Sequence, residues 1–126
     1  EHLESIDNIT DATALITNPT HFAVAIKFIP GEMSAPTIVS MGRGKLAETL
    51  ISRASDSDLV VFTSPVLARA LYFTSNIGQD IDSRLFAGVA AVLAYIFRLE
   101  QGQDVSYPSV EVPNDMRFNE FGRPME

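Results

Sequence analysis

The sequence predicts a small α/β domain in which a mixed four-stranded sheet is surrounded by helices. Short runs alternate between large apolar residues and smaller or polar ones, as in FAVAIKFI at 22–29, which is typical of strands. Longer stretches carry apolar residues at helical spacing, most clearly at 83–100. Both kinds of segment are interleaved along 126 residues, which is the length of one domain.

The first two predicted strands surround a turn. Residues 12–17 alternate weakly and end at Asn18-Pro19, a pair that usually marks a turn. In the second strand, 22–29, one face carries Phe22, Val24, Ile26 and Phe28 and the other carries smaller residues. We therefore expect a strand that is buried on one face and largely covered on the other.

The remaining elements follow in order along the chain. Residues 37–42 and 58–64 predict a third and a fourth strand, and residues 43–55 predict a helix between them. A second helix, 65–73, begins with Pro65, whose missing N–H is not needed in the first turn of a helix. The third helix, 83–100, has Asp82 as its predicted N-cap.

The two ends of the chain give weaker signals. Residues 1–11 are acidic and indicate the end of a helix or a linker, and the absence of an initial Met suggests a fragment of a longer protein. Residues 102–126 contain three prolines and little periodicity. We therefore expect the folded domain to cover 12–101 and the remainder to be a flexible C-terminal tail.

Composition excludes several classes of function. The net charge is −7, with an isoelectric point near 4.7 and no basic cluster longer than two residues, which disfavours binding to nucleic acid or to an anionic membrane surface. The chain has no cysteine, so it can form neither disulfides nor thiolate metal sites. No stretch approaches the length of an apolar transmembrane helix. No cofactor is expected.

A glycine pattern offers one alternative function. The stretch GRGKLA at 42–47 matches G-x-G-x-x-A between a predicted strand and a helix, and a small nucleotide-binding or hydrolytic domain using the Gly42/Gly44 turn would have this pattern. However, the next strand is followed by TSPVL, without the acidic residue that would bind a ribose. An ordinary strand-to-helix turn is the simpler interpretation.

The pair Asp80/Asp82 is similarly interpreted as helix capping rather than as a catalytic dyad.

The tetrapeptide Asn18-Pro19-Thr20-His21 has a more specific chemistry. An asparagine usually degrades when the next backbone nitrogen attacks its side chain, but Pro19 has no N–H and closes that route. The Asn18 side-chain nitrogen can instead attack its own backbone carbonyl, close a succinimide and break the Asn18–Pro19 bond, and proximity accelerates such an attack. The Thr20 hydroxyl would hold the turn, and the His21 imidazole would transfer a proton. A plain β-turn with a surface histidine is the alternative.

The sequence resembles the FlhB/YscU family, the export-gate switch proteins of bacterial type III secretion systems. The resemblance rests on NPTHFAVAIKF and continues through PVLARALYF, NIGQDI and VAAVLAYIFRLEQ, so that it covers roughly 12–101. The stretches LARALY, IGQ and VLAYIFRL are more similar to the flagellar branch than to the injectisome branch. Val66 departs from the pattern, because flagellar members often have a second proline there.

The resemblance implies a fold, a reaction and a set of partners. It implies a self-cleavage loop between the first two strands, with single-turnover cleavage between Asn18 and Pro19 rather than catalysis by a turnover enzyme. It also implies an inner-membrane protein whose missing N-terminal membrane domain precedes this cytoplasmic domain. The implied partners are membrane components of the export apparatus, export substrates and a length-control protein. Cleavage would switch export specificity, and the two pieces would stay associated because the 12–17 strand remains in the sheet.

Overall fold

The arrangement of the strands is given by a computed structural model, which describes residues 6–19 and 21–125. Four strands form one sheet in the order β3-β2-β1-β4. The strands are β1 (Ala14–Asn18), β2 (Phe22–Lys27), β3 (Thr37–Arg43) and β4 (Val61–Thr63). The helices are α1 (Lys45–Asp56), α2 (Pro65–Thr74) and α3 (Phe86–Glu100). Short 3₁₀ turns cover Asn8–Asp11, Ser83–Leu85 and Asn114–Met116.

Strand β1 lies between two neighbours of opposite direction. It pairs antiparallel with β2, from Ala14 opposite Ile26 to Asn18 opposite Phe22. It pairs parallel with β4, from Leu15 opposite Val61 to Thr17 opposite Thr63. Strand β3 joins the other edge of β2 in antiparallel register. The predicted mixed four-stranded sheet is therefore confirmed.

Both faces of the sheet are covered, as the alternation in β2 predicted. On one face Leu15, Ala23 and Ala25 pack against α1. On the opposite face Ile16 and the large residues of β2 join a cluster with α2 and α3. Strand β1 is consequently buried on both sides at Ala14–Thr17, which explains why its sequence alternates only weakly.

The start of α1 and the length of β4 differ from those predicted, because of the backbone conformation of the residues before and after α1. Helix α1 begins at Lys45 rather than at 43, because Gly44 takes a left-handed φ of 60°. The same helix ends in a left-handed Asp58, with Leu59 N–H donating to the Ala54 carbonyl, and this turn uses residues predicted as the start of β4. The fourth strand is therefore only Val61–Thr63.

Asp82, the predicted N-cap, caps a 3₁₀ turn that leads into α3 rather than α3 itself. A carboxylate oxygen of Asp82 accepts from the Arg84 N–H at 2.9 Å, and a 3₁₀ turn at Ser83–Leu85 precedes the helix proper. The Arg84 side chain also donates to this carboxylate, and these side-chain and backbone hydrogen bonds lower the pKa of Asp82. No helix in the described ranges is long and apolar enough to span a bilayer.

The chain segments outside 12–101 contribute to the core. Residues 1–5 of the predicted N-terminal linker lie outside the described residues, whereas Ile6 and Ile9 are buried beside α1. After Gly102 the chain returns across α3, where the Glu111 carbonyl passes so close to Gly88 that a Cβ there would lie 2.8 Å from it. Val112 and Met116 are buried. No local sequence pattern predicted these contacts.

We expect Met116→Ala to lower the free energy of unfolding by about 2–5 kcal/mol, because truncating a buried methionine leaves a cavity. Met116 is 1% exposed, whereas Met125 is 38% exposed and provides a matched control. Met125→Ala is expected to change stability by less than about 0.5 kcal/mol. Denaturant unfolding measures both. A Met116→Ala chain as stable as the control would show that residues 102–125 are not part of the cooperative unit.

Candidate functional site at the turn between the first two strands

The tetrapeptide 18–21 forms a tight connection between adjacent strands. Asn18 is the last residue of β1 and is opposite Phe22, the first residue of β2. The His21 N–H donates to the Asn18 carbonyl oxygen at 2.9 Å, which closes a four-residue turn. Thr20 lies outside the described residues. The carbonyl of the Asn18–Pro19 bond is thus the acceptor that defines the turn.

Burial changes abruptly across this turn. Thr17 is 1% exposed, Asn18 is half-buried, and Pro19 and His21 are exposed. The Thr17 carbonyl accepts from the Ser64 N–H at 2.9 Å, so the strand is held on its β4 side one residue before the turn. The Asn18 backbone is consequently fixed by the sheet, while the bond that follows it faces solvent.

The His21–Asn18 hydrogen bond has a chemical consequence for the Asn18 carbonyl. A donor on a carbonyl oxygen withdraws electron density from the carbon and stabilises negative charge that develops on the oxygen during nucleophilic attack. The donor here is a backbone N–H, which the turn holds in place before any reaction. The geometry therefore favours attack at this carbonyl carbon over attack at carbonyls without such a donor.

The turn between β3 and α1 supports the 18–21 turn from the side. The Gly44 N–H donates to the His21 carbonyl at 2.9 Å. The guanidinium of Arg43 lies over the Phe22 ring, 5.0 Å from its centroid. GRGKLA was predicted as a simple strand-to-helix turn, and this contact was missed. The signal that was available is the pair of glycines, one of which requires a left-handed φ.

Packing accounts for both glycines of the nucleotide-binding pattern. A Cβ at Gly42 would overlap the Leu46 side chain, so glycine fits where the end of β3 lies beside the first turn of α1. At Gly44 the left-handed φ excludes most other residues, and its N–H, which a phosphate would require, already binds His21. In the described part of the chain, no group of His, Asp or Glu residues is arranged to hold a metal ion.

An apolar groove lies between α3 and the loop that joins β2 to β3. It has a volume of about 310 Å³, and its walls include Phe28, Phe86 and Phe97. The small residues Ser34, Ala90 and Ala94 line it as well. Phe86 is 39% exposed, so the groove presents aromatic surface to solvent.

Comparison with known proteins identifies the family to which this chain is related. Residues 3–96 match the model of the FlhB HrpN YscU SpaS family. The chain is 38% identical over 88 residues to the flagellar biosynthetic protein FlhB of Aquifex aeolicus and 36% identical over 119 residues to that of Salmonella typhimurium. These alignments cover 70% and 90% of the chain. The chain therefore belongs to the FlhB HrpN YscU SpaS family.

Solved structures agree with this assignment and favour the flagellar branch. The cytoplasmic domain of FlhB from Shewanella putrefaciens matches with a TM-score of 0.83 at 26% identity, over 94% of this chain and 96% of that one. An EscU C-terminal domain variant matches with a TM-score of 0.69 at 29% identity, over 73% of this chain and 98% of that one. The matched EscU domains carry substitutions at an asparagine or at the proline that follows it.

The match to the curated relatives is a partial one. The chain spans 25% of the length of the Aquifex aeolicus protein and 31% of that of the Salmonella typhimurium protein. The predicted family, α/β fold and flagellar similarity are confirmed on these grounds.

We expect Gly44→Ala to loosen the 18–21 turn. An L-residue at this backbone geometry, φ 60° and ψ −127°, costs about 1–3 kcal/mol, and relief of this strain would move the residue-44 N–H away from His21. Gly31 is a matched control, because it also has a positive φ (85°) and a Cβ added there would meet no atom within 4 Å. Both variants lose similar stability in denaturant unfolding.

The two variants are distinguished by amide exchange, measured with Asn18→Ala as a common background so that the Asn18–Pro19 bond stays intact. Only Gly44→Ala should speed exchange at residue 44, by up to about tenfold, the equivalent of one net hydrogen bond. Equal exchange there in the Gly44→Ala and Gly31→Ala chains would show that the contact with His21 does not hold the turn.

Proposed function

We propose that this chain is the cytoplasmic domain of a flagellar type III export component that cleaves itself between Asn18 and Pro19 and thereby switches export specificity. The observation that carries the proposal is the hydrogen bond from the His21 N–H to the Asn18 carbonyl, at 2.9 Å, in a turn whose next residue is proline. Family membership supports the export role. The reaction is a single turnover on the chain itself.

The cleavage step conserves atoms without any added reagent. The Asn18 side-chain nitrogen forms a bond to the Asn18 backbone carbonyl carbon. Negative charge develops on the carbonyl oxygen and is stabilised by the hydrogen bond from the His21 N–H. The carbon–nitrogen bond to Pro19 then breaks. One proton passes from the attacking nitrogen to the Pro19 nitrogen, and we assign this transfer to the His21 imidazole. The products are a C-terminal succinimide at Asn18 and a free N-terminus at Pro19.

Pro19 contributes to the reaction in two ways. Its nitrogen has no hydrogen, so it cannot attack the Asn18 side chain as an ordinary following residue would. Its fixed φ also suits the second position of a turn, which holds the bond in the geometry that the hydrogen bond closes. We assign Thr20 the role of holding the turn through its hydroxyl.

The two pieces stay together after cleavage in this proposal. Strand β1 is hydrogen-bonded to β2 and to β4, and each hydrogen bond contributes about 0.5–1.5 kcal/mol net. Leu15 and Ile16 are fully buried, and each adds roughly 1.5–3 kcal/mol. Cleavage removes none of these contacts. The covalent change is confined to the exposed turn, where it creates a new surface.

The cellular setting of the proposal follows the family. We propose that the longer protein is anchored in the bacterial inner membrane through a domain N-terminal to this one, with residues 12–101 facing the cytoplasm. Its partners are then membrane components of the export apparatus, export substrates and a length-control protein. The acidic charge of −7 disfavours nucleic acid as a partner.

The apolar groove on α3 is the surface that we propose for export substrates. Three phenylalanines around small alanines make a depression that accepts apolar side chains of an incoming segment, and the lining offers few polar groups to satisfy a polar one. The groove is on a different part of the domain from the turn, so substrate contact and cleavage can be altered separately.

Intact-mass measurement tests the cleavage. We expect the purified chain to separate, under denaturing conditions, into pieces of 18 and 108 residues (126 − 18), and Asn18→Ala to remain whole. Asn76→Ala is the matched control, because Asn76 also begins a turn closed by a hydrogen bond, from Gln79 at 3.1 Å, but is followed by Ile77. That variant should cleave normally. A wild-type chain that remains whole, or fragments from Asn18→Ala, would refute the mechanism.

Substrate docking is tested on the same helix. Ala90→Glu places a carboxylate in the apolar groove. Because this carboxylate would lose its hydration when a substrate covers the groove, purified flagellar export substrates should bind at least tenfold more weakly. Ala87→Glu is the matched control: Ala87 is also an exposed alanine of α3, but it does not line the groove, and we expect its binding to change less than twofold. Isothermal titration measures both. Equal affinities would remove the groove as the docking surface.

A further inference from the structure

The last described residues fold into a second, small hairpin at 117–125, here called the C-terminal hairpin. The Met125 N–H donates to the Arg117 carbonyl and the Asn119 N–H to the Arg123 carbonyl, each at 2.8 Å. At its tip the Asn119 side-chain oxygen accepts from the Phe121 and Arg123 N–H groups. An isolated two-stranded hairpin of this size is only marginally stable, so its order depends on docking to the domain.

Two arginines and one aromatic contact dock the C-terminal hairpin. Arg69 of α2 donates to the Phe118 carbonyl at 2.7 Å, and Arg43 at the end of β3 donates to the Glu120 carbonyl at 3.1 Å. The Phe118 ring packs against Phe73, with centroids 5.9 Å apart. Docking therefore depends on a few contacts, and weakening any one of them changes the docked population.

One of the docking contacts is shared with the candidate cleavage turn. Arg43 binds the hairpin carbonyl and also lies over the Phe22 ring, which directly follows His21. Its neighbour Gly44 binds the His21 carbonyl. Phe22 in turn packs against Phe73, with ring centroids 5.4 Å apart. A short chain of contacts thus connects residues 21–22 to the C-terminal hairpin through Arg43 and Phe73.

We propose that docking of the C-terminal hairpin is coupled to the integrity of the 18–21 turn, so that the hairpin reports whether the Asn18–Pro19 bond is intact. This inference rests on the proposed cleavage. When the bond is cut, residues 19–21 become a chain end and lose the closing hydrogen bond of the turn, and chain ends fray. Fraying releases Gly44 from His21 and lets Arg43 shift from Phe22, which weakens the contact of Arg43 with Glu120.

Hydrogen exchange read by mass spectrometry measures this coupling. The hairpin amides should exchange at least about fivefold faster in the cut chain than in the uncut Asn18→Ala chain, the lower end of typical coupling between sites. Amides in the middle of α3 serve as an internal reference and should exchange equally in both chains. Equal exchange of the hairpin amides in the cut and uncut chains would overturn the proposal.

Two variants test the route of the coupling. Arg43→Ala removes the residue shared by hairpin and turn, so the hairpin should exchange at the same rate, within twofold, in cut and uncut chains. Arg69→Ala weakens docking without touching the turn, so exchange should be faster in both forms while their ratio is retained. A ratio that survives Arg43→Ala would show that the coupling does not pass through Arg43, and would overturn this part of the inference.

A split chain separates failure of the coupling from failure of self-cleavage. It is made by co-expressing two separate pieces, residues 1–18 with Asn18→Ala and residues 19–126, so that the chain break is present without self-cleavage and without added residues. Faster exchange of the hairpin in this complex than in the unbroken Asn18→Ala chain supports the coupling even if the wild-type chain never cleaves itself. Equal exchange in the two refutes the coupling whatever the wild-type chain does.

Discussion

The pairing of β1 on both of its edges is the constraint on which the other features depend. Antiparallel pairing with β2 places Asn18 opposite Phe22 and leaves three residues for the connection, so the turn must be tight. Parallel pairing with β4 fixes Thr17 from the opposite side through the Ser64 N–H. Because β1 cannot shift without breaking both ladders, the Asn18 carbonyl is held in place, and the Gly44 N–H holds His21 opposite it.

The contacts that brace the rest of this turn come from segments that are distant in sequence. Gly44 holds the His21 carbonyl, and Arg43 covers Phe22 while binding the hairpin near the C-terminus. In each case the protein uses a backbone group or a ring rather than an ion pair. The contact of Gly44 with His21 joins two uncharged backbone groups, whereas the contacts of the Arg43 guanidinium with the ring and the carbonyl are charge-assisted. The turn, the β3–α1 junction and the C-terminal hairpin form one continuous region.

The sequence predicted the strands and helices between 12 and 101 because their patterns are local. Period-two alternation identified the faces of β2, Pro65 marked the start of α2, and Asp82 was recognised as a cap. Alternation defines which face a residue occupies but not which strand lies beside it, so the central position of β1 was not predictable. The same limit applies to Met116, whose burial depends on a chain path across α3 that no local pattern encodes.

The central position of β1 also has a mechanical consequence. Hydrogen bonds between strands run across the strand axis, perpendicular to it in an antiparallel pair and slanted in a parallel pair. A pull on the chain before Ala14, directed along β1, therefore loads the bonds to β2 and β4 together in shear rather than opening them one at a time. An edge strand such as β4 has one ladder to resist the same force. A domain whose covalent link is broken after Asn18 would therefore still transmit tension through its sheet.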